Sequence, residues 1–189
     1  MSPELVADIV VDRGSPALNL STTDNHKLML PGKYNSADYG RILYLKFDIS
    51  GIKGISSGAD LQLYVRQPVR DSLKTVKYLS IYEIDDTFDF DENTLTYGNL
   101  PENGKFGKRI ATKLINPPTY STFYKYNFDI SGYLKKKVEA GNEYIILGVG
   151  IDEELQKQLY PNGNTTVESN FNVQIRTNDN SNKAKIILY

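Results

Sequence analysis

From Ile42 to Ile49 the chain reads Ile-Leu-Tyr-Leu-Lys-Phe-Asp-Ile, which sets Leu43, Leu45, Phe47 and Ile49 at every second position with Tyr44, Lys46 and Asp48 between them. Successive side chains of a strand point to opposite faces, so a period of two marks a half-buried β-strand. The same period returns at Leu61-Gln62-Leu63-Tyr64-Val65-Arg66, at Leu79-Ser80-Ile81-Tyr82 and at Phe171-Asn172-Val173-Gln174-Ile175-Arg176. Short runs of strand-forming residues bounded by turn formers predict further strands near 9–11, 27–30, 124–128, 144–151 and 185–189. Of these, Tyr144-Ile145-Ile146-Leu147-Gly148-Val149 is apolar at nearly every position, as expected of a central strand covered on both faces. About nine strands with no long helix between them predict an all-β fold, an antiparallel β-sandwich.

One short helix is predicted after Ser131. Tyr133, Leu134 and Val138 are spaced for one face, and Lys135, Lys136 and Lys137 bring cations to the last turns before Gly141. The pentapeptide Phe-Asp-Ile-Ser-Gly occurs at 47–51 and again at 128–132. With unlike flanks it is no repeat unit; it reads as a strand-exit device in which Asp and Ser bond to the turning backbone. No linker or charge block divides the chain, and 178–183 reads as a polar loop before the last strand. Residues 1–189 are therefore expected to form a single domain.

Composition narrows the function. The formal net charge is −1, which supplies no global attraction to nucleic acid or to a membrane surface. No apolar run reaches the roughly 18 residues a membrane helix needs, and the start Met1-Ser2-Pro3-Glu4 lacks the basic-then-apolar pattern of a leader. With no cysteine there is no disulfide and no thiolate chemistry, so packing and the sheet ladder must hold the fold. The sequons at Asn19 and Asn164 matter only in a eukaryotic secretory setting.

Catalytic patterns are absent. The sole histidine, His26, lies among Thr23, Asp24 and Asn25 ahead of a strand and reads as a loop or surface residue. The acidic stretch Asp85-Asp86-Thr87-Phe88-Asp89-Phe90-Asp91-Glu92-Asn93 lacks the glycine and terminal glutamate of an EF-hand, so a turn-forming loop is expected. No cofactor is required. A structural calcium ion, on that stretch or near Asp8, is the one metal the acidic residues leave open.

Several segments together resemble the DNRLRE-type domains, classed as carbohydrate-binding module family 96. Residues 41–52 are similar to the family's R-x-Y-L-K-F-D-L-S strand, Ala59-Asp60-Leu61-Gln62-Leu63-Tyr64-Val65 to its A-x-L-x-L-Y-V, and 86–101 to its T-W-x-E-x-T-L-T-W-x-N-x-P. Phe128-Asp129-Ile130-Ser131 resembles a later strand exit before a short helix, and 182–189 the terminal strand. Phe88 and Tyr97 stand where the pattern has tryptophans, and Ala184 where it has a proline. The resemblance implies a jelly roll and a non-catalytic module of a secreted or cell-surface bacterial protein that degrades polysaccharide, with alginate the substrate of the best-known members. A larger multidomain parent and a polysaccharide partner, anionic in character, follow from the same likeness.

Sugar recognition needs flat aromatic faces and fixed polar groups. Without tryptophan that work falls to tyrosine, and Tyr44, Tyr64 and Tyr82 all lie on the polar sides of their strands. Lys46, Gln62, Arg66, Gln174 and Arg176 share those sides and are long enough to reach a ligand's hydroxyl or carboxylate. If the strands at 42–49 and 61–66 are neighbours, these residues form one cationic, aromatic-edged strip. The competing reading is a structural or adhesive domain of a surface or appendage protein, with another protein as its partner.

Overall fold

The alternating segments are strands of two antiparallel sheets in the computed structural model, which describes residues 2–12, 15–20, 26–29, 41–66, 77–116, 119, 122–152, 154–155, 158, 173–176 and 183–189. The first sheet has the order β1 (Glu4–Asp12), β3 (Arg41–Asp48), β8 (Tyr144–Ile151), β5 (Lys77–Glu83) and β6 (Arg109–Ile115). The second is built on β4 (Ala59–Arg66), with β7 (Tyr124–Asp129) along one edge. The other edge of β4 is shared end to end: β10 (Lys185–Leu188) pairs with residues 59–62 and β9 (Val173–Arg176) with 64–66. Strand β2 (His26–Met29) lies beyond β9. Residues 171–172 of the sequence-predicted strand and 178–182 of the polar loop lie outside the described residues.

Alternation becomes burial between the sheets. Leu43, Leu45 and Phe47 from β3 meet Leu61, Leu63 and Val65 from β4, and Leu79, Ile81, Leu147, Val149, Val173 and Ile175 complete one core. Strand β8 is covered on both faces, as its apolar run requires: residues 145–150 are all buried. A second core lies on the outer side of the first sheet, where Ile84, Phe88 and Leu95 from the segment after β5 pack on Ile9, Val11, Tyr44 and Ile146. Phe88, one of the two tryptophan replacements, is thus a core residue, and Tyr97 packs against the same cluster.

His26 is placed on β2, opposite Arg176, rather than in a loop. Strand β6 has no counterpart in the sequence reading, because Arg-Ile-Ala-Thr-Lys-Leu-Ile does not alternate. It is an edge strand with a register shift opposite Ile81 and Tyr82, and Leu114 is left exposed.

The repeated pentapeptide behaves as its chemistry suggests. Asp48 Oδ1 accepts from the Ser50 amide at 2.9 Å and the Ser50 hydroxyl at 2.7 Å; Asp129 Oδ1 accepts from the Ser131 amide at 2.9 Å and its hydroxyl at 2.6 Å. Ser131 also accepts from the Ala59 amide, tying the start of α1 (Ser131–Glu139) to the second sheet. The helix ends where Gly141 takes φ 78°, and the Gly141 and Asn142 amides donate back to the carbonyls of Val138 and Lys137.

Asp85 makes the same turn with Thr87, and in all three turns the carboxylate sits below its usual range because hydroxyl and amide donors bond its charged form. Asp89 is lowered by Lys46. Asp152 is lowered despite a burial effect that alone would raise it, because the Leu155 amide, Arg109 and Ser80 outweigh that effect. A lowered folded pKa adds stability that is fully present above the unfolded value, about 3.9 for Asp. That stability is lost as pH falls through the folded value. Melting temperatures are therefore expected to hold between pH 7 and 5 and to fall steeply below about pH 4; a melt unchanged down to the lowest pH tested contradicts this.

Candidate functional site

The two outer faces differ in what covers them. On the first sheet the segment following β5 lies across the surface and consumes the side chains found there. Tyr44 is wholly buried, its hydroxyl donating to the Gly104 carbonyl at 2.7 Å, with Phe88, Phe90 and Phe106 around its ring. Burial, with Tyr97 nearby, raises its pKa well above the tyrosine range. Tyr44 is therefore not the exposed ring that strand parity suggests: it faces outward from its sheet but into a second core.

Tyr82 is stacked on Phe106 at 4.4 Å between centroids, and burial, with Asp152 close by, pushes its hydroxyl up to about 12. Its hydroxyl joins a polar cluster around Asp152, which accepts from Ser80 at 3.0 Å and Arg109 at 2.6 Å. Lys46 is ion-paired to Asp89 at 2.6 Å and lies 4.7 Å above the ring of Tyr144.

The outer face of the second sheet has no such cover among the described residues. With Leu61, Leu63 and Val65 turned inward, β4 presents Asp60, Gln62, Tyr64 and Arg66 outward. Register sets Asn127 and Lys185 on either side of Gln62, Lys125 and Arg176 on either side of Tyr64, and Gln174 beside Arg66. Gln62 is only 3% exposed because its neighbours enclose it; it donates to Asn127 at 2.9 Å, and Asn127 donates to Asp60 at 3.1 Å. Arg66 Nε donates to Gln174 at 2.5 Å. Phe123, just before β7, lies under two guanidinium groups, 4.7 Å from Arg66 and 4.3 Å from Arg176. A cation held against an aromatic face keeps its planar fork oriented, and that fork matches a carboxylate.

Of the sequence-predicted residues, the structure brings together Gln62, Tyr64, Arg66, Gln174 and Arg176. It separates them from Tyr44, Lys46 and Tyr82. The single strip joining Lys46 to Arg66 does not form, because β3 and β4 belong to different sheets and residues 49–58 cross the sandwich between them. Phe123, Lys125 and Asn127 were missed. The signal was present: Tyr124, Tyr126 and Phe128 form the inward side of β7, so alternation turns the odd-numbered residues outward. Among the described residues no group of three or more His, Cys, Asp or Glu side chains is placed to hold a metal ion, and no helix is long and apolar enough to cross a membrane.

Residues 4–184 match the sequence model of carbohydrate-binding module family 96. The chain belongs to that family. Family 96 modules are non-catalytic and bind carbohydrate, and this module is a carbohydrate-binding β-sandwich. No curated protein matches it. Among solved structures it is similar to the CBM22-1–GH10 modules of the Clostridium thermocellum endo-1,4-β-D-xylanase 10B complexed with xylohexaose, at 8% identity and a TM-score of 0.31. That match covers 97% of this chain and 29% of the xylanase chain, so the module spans under a third of its length. Likeness at this level says nothing of the ligand.

Proposed function

We propose that the module binds an acidic polysaccharide, alginate or another uronate polymer, along the outer face of the second sheet. We place it in a secreted or cell-surface bacterial protein of several domains that degrades polysaccharide. The observation that carries this reading is the pair of arginines over Phe123. A uronate chain bears a carboxylate on every ring, and two guanidinium groups held on one aromatic residue offer two forks to it. Beside them, Tyr64 offers a ring face and Gln174 an amide for sugar hydroxyls. Each contact is half-exposed and screened over about 8 Å at physiological ionic strength, so affinity rests on repetition along the polymer and falls with salt.

Affinity electrophoresis in gels containing alginate, pectate or a neutral glucan tests this. Wild type should be retarded by an acidic gel and not by the glucan. Arg66→Ala with Arg176→Ala should weaken retention about tenfold or more, each charge-assisted contact contributing roughly 1.5–3 kcal/mol at low salt before screening. Lys46→Ala, on the opposite face and already paired to Asp89, should retain binding. Full retention by the double arginine variant, or loss in Lys46→Ala alone, would move the site off the second sheet.

A further inference from the structure

A cleft of about 400 Å³ opens between α1, the end of β5 and the start of β6. Its size falls within the range of small-molecule sites, about 300–1,000 Å³. Lys108 just before β6, Arg109 at its start, Lys136 and Lys137 on α1, and the carboxylates of Glu83 and Asp86 line it.

The charges do not cancel. Lys137, only 9% exposed, takes up both acids, at 2.6 Å from Asp86 and 3.2 Å from Glu83. Arg109 is held by Asp152. Lys108 and Lys136 are exposed, and among the described residues neither ammonium has an ion pair. The wall also includes Tyr133, whose buried hydroxyl has no hydrogen-bond partner. Burial, with Glu83 and Asp86 close by, raises the pKa of that hydroxyl above the usual tyrosine range. A buried polar group without a partner is costly to the fold.

We infer that this cleft is a second carbohydrate site, one that takes a single carboxylated sugar residue, with Lys108 and Lys136 on the carboxylate. The ligand class rests on the family's carbohydrate binding; the site does not depend on the second-sheet reading. Two sites of different shape on one module let it hold a chain along its length and an acidic unit at an end or branch.

Backbone amide shifts in an NMR titration of the whole chain with sodium D-glucuronate test the inference. Saturable shifts are expected at Lys108, Arg109 and residues 136–140, with none from D-glucose at the same concentration. Lys108→Ala with Lys136→Ala should weaken the response about fivefold, as removal of two exposed ion pairs implies, with the melting curve unchanged. Silence in the cleft, an equal response to sodium sulfate, or an unaltered titration in the double variant overturns the inference. Amides of 123–127 and 174–176 show in the same spectra whether glucuronate also touches the other face, and retention in the alginate gel decides the second-sheet site independently, so failure of one site is distinguishable from failure of the other.

Discussion

Replacing Tyr44 with alanine is expected to destabilise the module by about 3–5 kcal/mol, the usual cost of truncating a buried aromatic side chain. In a domain of this size each kcal/mol moves the melting temperature by roughly 2–4 °C, so a fall of roughly 6–20 °C follows. The ring fills space among Phe88, Phe90 and Phe106, and the surrounding strands cannot collapse far enough to close the void. Tyr44→Phe isolates the hydroxyl. It leaves the Gly104 carbonyl without its donor and should cost about 1–3 kcal/mol, with glycan binding kept. The expected order is wild type, then phenylalanine, then alanine, measured by urea melts. An alanine variant that melts normally but binds glycan weakly would restore Tyr44 to a surface role.

The second large effect is expected at Gly148, in the middle of β8. Register places this residue between Tyr44 of β3 and Tyr82 of β5, and Phe106 lies over the gap that the missing side chain leaves. A Cβ there would come within 2.6 Å of Phe106 Cδ1 and 3.1 Å of Ile84 Cδ1. Gly148→Ala therefore must push Phe106 off its stack with Tyr82. Overpacking costs about 1–3 kcal/mol and each aromatic pair lost about 0.5–1.5 kcal/mol, so a total of roughly 2–4 kcal/mol is expected. Phe106→Ala makes room. Combined with it, Gly148→Ala should cost much less than it does alone, which a double-mutant cycle reads directly. Simple additivity would show that the glycine serves something other than Phe106.

Both residues mark where reading the chain succeeds and where it stops. Parity along 42–49 gave the faces of β3 correctly, and the Asp–Ser turns, the short helix and the buried central strand follow from local chemistry. The edge strand β6 does not, because its apolar residues keep no period and a register shift interrupts its pairing. For the candidate site, parity told which side chains leave a sheet but not which sheet they leave, nor what lies over them. Tyr44 was hidden by a segment more than forty positions away, a contact no local pattern encodes. Gln62, Tyr64, Arg66, Gln174 and Arg176 fall together because β4 and β9 pair within the second sheet. Phe123 escapes because it lies one residue outside β7, whose start the sequence places correctly at Tyr124, and no local period reaches it.

The divided edge of β4 has a consequence in time. Its partners begin at residues 124, 173 and 185, so none can be reached by a tight hairpin. Closing such loops costs chain entropy before any ladder rewards it, and folds dominated by distant pairings reach their native state in milliseconds to seconds rather than microseconds. Strand β4 must therefore wait for residues 124–129 at one edge and for residues 173–188, near the far end of the chain, at the other. During that interval its Leu-Gln-Leu-Tyr-Val run is the segment most exposed to pairing with another molecule, so concentration during refolding governs how much active module is recovered.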